Sequence, residues 1–202
     1  MLIRKLFKFN GQHIVRNCSS QRCKKSIHAH TYTVEVLFKS SGLDNGFMVM
    51  DFGLMKGTVK DIIKSFDNSY SLWDKETEEF KDLIKQNHKR IVTMPTSPSA
   101  ESYSLMFLFI IDKLIKATEF NNGEKNVEVH SVKVHETATG YAESFIEDLD
   151  WMDYSLKDIK FSEEVKKSWS NPKMFKELKK YSKGKTAKKP FKNPKEVLQI
   201  VS

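Results

Sequence analysis

The sequence predicts an α+β fold in which an antiparallel β-sheet carries helices on one face. Residues 2–13, 28–39 and 127–136 alternate between apolar and polar side chains, which is the two-residue period of a strand buried on one face. Residues 54–66 and 98–117 instead repeat their apolar side chains at helical spacing. Strands with one apolar face and helices with one apolar stripe build a two-layer sandwich around a shared core.

Each element can be justified in chain order. The two long strands, 2–13 and 28–39, are joined by the loop that holds both cysteines. Residues 47–51 are expected to form a short buried strand, which brings the predicted sheet to four strands and leaves two helices on one face. The second helix begins with Ser97 as its N-cap and Pro98 in the first turn, where a missing N–H costs nothing.

Charge divides the chain into two parts. The 202 residues carry a formal net charge of +8. Residues 1–150 contain equal numbers of basic and acidic side chains, so the whole excess lies in residues 151–202. We therefore expect a folded domain over 1–150 and a basic C-terminal extension over 151–202. Such an extension either contacts an acidic partner or nucleic acid, or is a solvated tail that keeps the protein soluble.

Composition argues against the membrane and secreted classes. The chain has no stretch of about eighteen apolar residues, and we expect no secretory leader, because the first residues run directly into a predicted strand. Cys18 and Cys23 are expected to be free thiols in a reducing compartment. These features predict a cytoplasmic protein that does not bind a membrane.

Three histidines form the candidate metal site. His28 and His30 are two residues apart in a predicted strand and therefore project from the same face. His13 has the parity of Phe7 and Phe9 in the preceding strand and can supply a third imidazole. Three histidines without a fourth protein ligand describe an open zinc site that can polarise a substrate. The plainer alternative is a histidine pair that only packs at the start of a strand.

Five sequence blocks resemble one family and occur in its order. The resemblance is to the family of 6-pyruvoyl-tetrahydropterin synthase and QueD (6-carboxytetrahydropterin synthase). The blocks are Phe7 to His30 with Cys23 inside it, Gly46 to Lys56, Phe66-Asp67-Asn68, Ser97 to Ser102, and Val132 to Ala142.

The resemblance implies a fold, an assembly and an activity. The fold is the tunnelling fold (T-fold), in which trimers join their sheets into a barrel and two trimers stack into a homohexamer with sites between subunits. The activity is that of a lyase acting on 7,8-dihydroneopterin triphosphate, a pterin, in the route to queuosine-type deazapurines. The implied cofactor is Zn²⁺, held by His13, His28 and His30.

The resemblance also implies roles for individual side chains. Cys23 matches the reactive cysteine, whose thiolate removes a proton from the substrate, while Cys18 has no counterpart in the family pattern. Glu136, beside Thr137, matches the carboxylate that anchors the pterin. Glu101 matches a second acidic position and Ser99 a neighbouring pocket position. Glu101 can equally serve only to favour the helix dipole.

Asp67 and Asn68 mark the one serious departure from the family pattern. The family has Asp-His here, where the histidine shares proton transfer with the cysteine. An asparagine amide does not titrate at relevant pH and cannot act as an acid or a base. Two hypotheses therefore stay open: a pterin-forming lyase, or a weakened homologue kept as a hexameric scaffold or binding ring with a basic docking extension.

Overall fold

A computed structural model describes residues 1–196 of the chain. The strands are β1 (Leu2–His13), β2 (His28–Lys39), β3 (Ser69–Trp73), β4 (Ile91–Met94), β5 (Thr118–Phe120), β6 (Glu128–His135), β7 (Tyr141–Phe145), β8 (Lys160–Phe161) and β9 (Phe191–Asn193). The helices are α1 (Gln21–Lys25), α2 (Lys60–Lys64), α3 (Glu78–Asn87), α4 (Ala100–Lys116), α5 (Glu163–Lys167) and α6 (Met174–Ser182). A π-helical turn, Met55–Val59, precedes α2, and a 3₁₀ helix, Ile146–Trp151, follows β7.

The main sheet has seven strands in the order β7-β6-β2-β1-β3-β4-β8. Its first four strands are antiparallel neighbours, and β1 and β2 have the bounds that the sequence predicted. The prediction of a four-stranded sheet is wrong, because β3 and β4 continue the sheet in parallel beyond β1 and β8 pairs with β4. Strands β3 and β4 are short and almost wholly buried, so they show no apolar alternation that a period search could detect.

The predicted strand at residues 47–51 is also wrong, because this segment is a turn. The carboxylate of Asp44 accepts the N–H groups of Gly46 and Met48, both at 2.8 Å. Phe47 has φ +59°, outside the β region, and its side chain is 85% exposed. A side chain that satisfies two backbone donors competes with strand pairing, and here it prevails.

Both predicted helices form and lie on one face of the sheet. Phe9 of β1 packs against Phe66, just after α2, and against Phe107 of α4, with ring centroids 5.7 and 6.1 Å apart. The cap of α4 is Ser99 rather than Ser97, because the Ser99 side chain accepts a backbone N–H of the first turn. Within residues 1–196, no helix is both long enough and apolar enough to cross a membrane.

The basic extension packs into the same core as the rest of the chain. Strand β8 lengthens the main sheet, and β9 pairs with β5 in a second, two-stranded sheet. The buried side chains of the extension belong to the main core cluster; they are Leu156, Ile159, Phe161, Val165, Trp169, Met174, Phe175, Leu178 and Phe191. Among the described residues, the hydrophobic core therefore continues across the charge boundary near residue 150.

Candidate metal and substrate site

Three histidines meet at the end of the β1–β2 pair. The strand register places His13 opposite His28, and His30 lies two residues further along the same face of β2. One ring nitrogen from each imidazole lies within 4.8 Å of the other two. The structure thus brings together the three side chains that the sequence pattern selected as metal ligands.

Hydrogen bonds from the ring nitrogens orient two of these imidazoles. His13 is fully buried, and its Nδ1–H donates to the carbonyl oxygen of Pro98 at 2.6 Å. His28 Nδ1–H donates to the carbonyl oxygen of Ser26 at 2.9 Å. Both bonds leave Nε2 with its lone pair free, an arrangement common in metal-binding histidines.

The chemistry of the three imidazoles fits a metal ion. Burial lowers the pKa of His13 to about 4, so that its imidazole is neutral at pH 7. The neutral imidazole is the form that binds a metal. A set of imidazole nitrogens suits zinc and related transition metals, and three protein ligands leave a position for a substrate.

Glu136 lies beside the histidines and is held there by Tyr32. Its Oε1 atom is 3.8 Å from Nε2 of both His13 and His30. The buried Tyr32 hydroxyl is 3.2 Å from Glu136 Oε1 and 3.2 Å from His13 Nε2. Burial raises the pKa of Tyr32 well above its usual value, so the hydroxyl stays protonated. It donates a hydrogen bond to the carboxylate. Tyr32 lies two residues from His30 on the same face of β2, which is a signal for its place beside the site, but neither the strand pattern nor the family resemblance gave it a role.

Cys23 lies on α1, in the loop between β1 and β2. No side chain of α1 is buried, so apolar packing does not fix this helix. Polar contacts hold it instead: Val15 N–H donates to the Cys23 carbonyl at 3.0 Å, and the Arg16 guanidinium donates to the Lys24 carbonyl at 2.8 Å. Both cysteines are free and half-buried, and Cys18 donates to a carbonyl of its own loop.

Asp67 and Asn68 form an exposed turn between α2 and β3. Asn68 has φ +50°, and its N–H donates to the Asn10 carbonyl at 2.7 Å. Asp67 accepts the Asn10 N–H at 2.8 Å and the Lys64 ammonium at 3.0 Å. Partial burial favours a raised pKa for Asp67, but these hydrogen bonds outweigh it and hold the pKa below its usual value.

Within residues 1–196, no hydrogen bond joins Cys23, Asp67 or Asn68 to the histidine cluster. The three candidate metal ligands therefore meet within one chain, and in the described residues no hydrogen bond links the predicted catalytic residues to them.

The remaining predicted pocket residues, Ser99, Glu101 and Thr137, lie in three different settings. Ser99 caps α4, directly after the Pro98 carbonyl that binds His13. Glu101 is exposed in the first turn of α4, and its carboxylate forms no hydrogen bond in the described part of the chain. Thr137 lies in the β6–β7 turn, where its hydroxyl accepts the Gly140 N–H at 3.0 Å.

The sequence matches a protein family and named relatives. Residues 2–147 match the family described as 6-pyruvoyl tetrahydropterin synthase. A Helicobacter pylori protein (strain J99) named 6-carboxy-5,6,7,8-tetrahydropterin synthase is 42% identical over 179 residues, covering 87% of this chain and 90% of the relative. An Aquifex aeolicus protein of the same name is 32% identical over 121 residues, covering 58% of this chain and 73% of the relative.

Solved structures of low sequence identity share the fold. An uncharacterized Wolinella succinogenes protein superposes with a TM-score of 0.57 at 19% identity, covering 72% of this chain and 98% of that chain. The 6-pyruvoyltetrahydropterin synthase of Plasmodium vivax superposes with a TM-score of 0.51 at 17% identity, covering 71% and 97%. These likenesses bear on the fold alone.

Proposed function

The chain belongs to the 6-pyruvoyl tetrahydropterin synthase family, and from this premise we propose that it is a zinc-dependent 6-carboxytetrahydropterin synthase. Its proposed substrate is 7,8-dihydroneopterin triphosphate, in the route to queuosine-type deazapurines. The observation that carries the proposal is the cluster of His13, His28 and His30, with one nitrogen from each within 4.8 Å of the others. The names of the Helicobacter and Aquifex relatives support the same reaction.

His13, His28 and His30 would hold the metal. Zinc held there would supply a Lewis acid, which makes the substrate hydroxyls and neighbouring carbon atoms more acidic. The Pro98 and Ser26 carbonyls keep the two imidazoles of His13 and His28 in the ligating tautomer. The open side of the cluster is left for the substrate.

Glu136 anchors the pterin ring in this proposal. Its Oε1 is bound by the Tyr32 hydroxyl, and no hydrogen bond to Oε2 is formed within residues 1–196. A carboxylate can accept two parallel hydrogen bonds from adjacent N–H groups of a heterocycle, which fixes both position and orientation. Thr137, Ser99 and Glu101 border the place where the ring would lie.

Cys23 is the proposed base. Its thiolate would remove a proton from a substrate carbon that carries a hydroxyl group, and the thiol formed in this step would return a proton later in the reaction. This role requires α1 to bring the sulfur to the open side of the cluster. Asp67 and Asn68 stand where the family has its partner acid–base pair.

Two open strand edges support a ring assembly. Strand β7 is at one edge of the main sheet, and β1 pairs with β3 only through Gly11 and Gln12. The apolar side chains exposed on these two strands are Leu2, Leu6, Tyr141 and Phe145. A second copy of the chain can cover both the edges and these side chains. We propose a homohexamer built in this way, in which a neighbouring subunit supplies Asp67 and Asn68 to the site.

Asn68 favours a second candidate, a catalytically weakened homologue that serves as a hexameric scaffold or binding ring. An exposed amide at this turn can hydrogen-bond but cannot transfer a proton. A scaffold, however, has no use for a buried neutral histidine and an oriented carboxylate beside it, so the enzyme is the stronger proposal.

Incubation of the zinc-loaded protein with 7,8-dihydroneopterin triphosphate, followed by mass spectrometry, tests the proposal. We expect 6-carboxy-5,6,7,8-tetrahydropterin to accumulate, and Cys23→Ala to slow its formation by about two to four orders of magnitude. A 6-pyruvoyl product would keep the family chemistry but change the reaction. An intact substrate after incubation with stoichiometrically zinc-loaded hexamer would support the scaffold.

A further inference from the structure

The C-terminal extension is hydrogen-bonded to the helix that leads into the Asp67–Asn68 turn. The indole N–H of Trp169 donates to Ser65 Oγ at 2.8 Å, and both side chains are buried. The next residue, Ser170, donates its backbone N–H to the Asp61 carboxylate at 2.8 Å. Two consecutive residues of the extension therefore bind α2, one at Asp61 in its first turn and one at Ser65, which directly follows its last residue.

Arg90 connects the extension to the turn itself. Its Nε donates to the Asp67 carbonyl at 3.0 Å, and its Nη2 donates to the Lys64 carbonyl at 3.1 Å. Its Nη1 donates to Ser168 Oγ in the extension at 3.3 Å. Because a guanidinium presents its donors in a fixed plane, one side chain holds these three groups in a set arrangement.

The extension also fixes the backbone beside Arg90. Ile91 N–H donates to Ser162 Oγ at 3.1 Å, and Ser162 N–H donates back to the Ile91 carbonyl at 2.9 Å. Strand β8 then pairs with β4 from Val92 onward. Arg90 therefore lies directly before β4, a strand whose outer edge is bound by the extension.

The other supports of the two side chains are polar. Asn68 is exposed and Asp67 is only half-buried, so apolar packing does not hold them. Their other hydrogen bonds are with Asn10 of β1, with Lys64 and with Ser69, whose hydroxyl donates to the Asp67 carbonyl at 3.2 Å. The extension adds a second set of hydrogen bonds, which reaches the turn from the side of α2 and β4.

We propose that residues 162–170 form a brace that holds the Asp67–Asn68 turn in position against the substrate. The proposal rests on the proposed function, because the position of the turn affects turnover only if the turn meets the substrate. The family match ends at residue 147, so the brace lies outside the part of the chain that the family model covers. Trp169 and Arg90 are positioning residues: they act through the turn and touch no reacting atom.

Trp169→Phe tests the brace with the least disturbance. The phenyl ring can keep the packing against Phe161 and Phe175, whose centroids lie 5.1 and 6.4 Å from the indole, while the N–H donor is lost. The free energy of one hydrogen bond of this kind corresponds to a change of roughly two- to tenfold in a rate or an equilibrium constant. We expect kcat to fall by that factor with KM unchanged, and amide hydrogen exchange at Asn68 and Ser69 to speed up by a similar factor.

Two further variants keep the test specific. Ser65→Ala removes the other partner of the same hydrogen bond, so the double variant should be no slower than either single variant. Trp151→Phe is the matched control, since Trp151 is a 77% exposed indole in the residues just before the brace. It should change neither kcat nor the exchange of the turn.

The outcomes separate the brace from the proposed function. Wild-type exchange at the turn in a folded Trp169→Phe protein would overturn the brace, as would faster exchange with an unchanged kcat in an active enzyme. If the wild-type protein makes no product but Trp169→Phe speeds up exchange at the turn, the proposed function is wrong. The brace would then still hold the turn in position, without a role in turnover. A lower melting temperature with kcat and exchange unchanged would show that Trp169 is only a core residue.

Discussion

The histidine cluster and the Cys23, Asp67 and Asn68 group represent two different ways of building a site. The histidines stand on a twelve-residue strand pair whose register sets their positions, and one of them is fully buried. The second group lies on a short helix without a buried side chain and on an exposed turn. Strand register determines the first region, whereas polar contacts with other segments determine the second.

The difference indicates which step each region can control. A metal site that is already assembled binds substrate without rearrangement, so it should determine the affinity for the substrate. The loss of one metal ligand should then abolish metal binding altogether. Loop-borne acid–base groups depend on how well their supports hold them, so their loss or displacement should change rate and leave metal binding intact. The following predictions separate these two behaviours.

Replacement of a histidine ligand should have the largest effect. His28→Ala leaves two imidazoles, which make a weak site, so bound zinc should fall from about one per subunit to near zero and turnover should be lost with it. His88→Ala is the control, because His88 packs on Tyr70 and is not a member of the cluster. Elemental analysis after dialysis measures the zinc, and stoichiometric zinc in His28→Ala would contradict the assignment.

Loss of the Cys23 sulfur should affect rate alone. Cys23→Ala removes the proposed base, so turnover should fall by about two to four orders of magnitude while zinc content stays at the wild-type level. Cys18→Ala provides the matched control, as a free thiol in the same loop. Single-turnover kinetics with parallel zinc analysis make the measurement. If Cys23→Ala and Cys18→Ala lowered turnover equally, the rate would depend on the structure of the loop and not on the Cys23 thiol.

The antiparallel half of the fold could be predicted because its chemistry is local. Strands β1, β2 and β6 alternate cleanly, and the His28-Ala-His30 spacing together with the parity of His13 places three imidazoles on one face. Strands β3 and β4 could not be predicted from the alternation of apolar and polar residues. Both faces of these strands are buried, so their sequences do not alternate. Residues 47–51 resembled a strand because their pattern does not reveal the Asp44 turn.

The supports of the site could not be predicted because they come from distant parts of the chain. Pro98 binds His13 across 85 positions, and Tyr32 binds Glu136 across 104. Trp169 reaches Ser65 from a segment that charge marks as a basic tail. The apolar side chains Trp169, Met174 and Phe175 indicate that residues 161–178 can pack as short helices, but they do not show which side chain Trp169 meets.

Restoration of the missing acid–base group should have a moderate effect. Asn68→His places a titratable ring where the family has one, and the turn should accept it because histidine tolerates the positive φ of this position. We expect turnover to rise about tenfold or more. Asn126→His is the control, since Asn126 also has a positive φ, at 48°. An unchanged rate in a folded, zinc-loaded Asn68→His protein would show that this turn does not take part in proton transfer.

Removal of the Tyr32 hydroxyl should have the smallest effect and tests the link between the metal site and the pterin anchor. Tyr32→Phe keeps the ring stacked on Phe9, at a centroid distance of 4.7 Å, but takes away the hydrogen bond to Glu136. The carboxylate is then free to turn away, so KM should rise roughly two- to tenfold, as expected for one hydrogen bond. Zinc content and kcat should stay unchanged, because the three imidazoles remain in place. Tyr181→Phe, on α6, serves as the control. If KM rises in Glu136→Gln but not in Tyr32→Phe, then the carboxylate holds the pterin without help from Tyr32. If KM rises in neither variant, Glu136 is not the anchor.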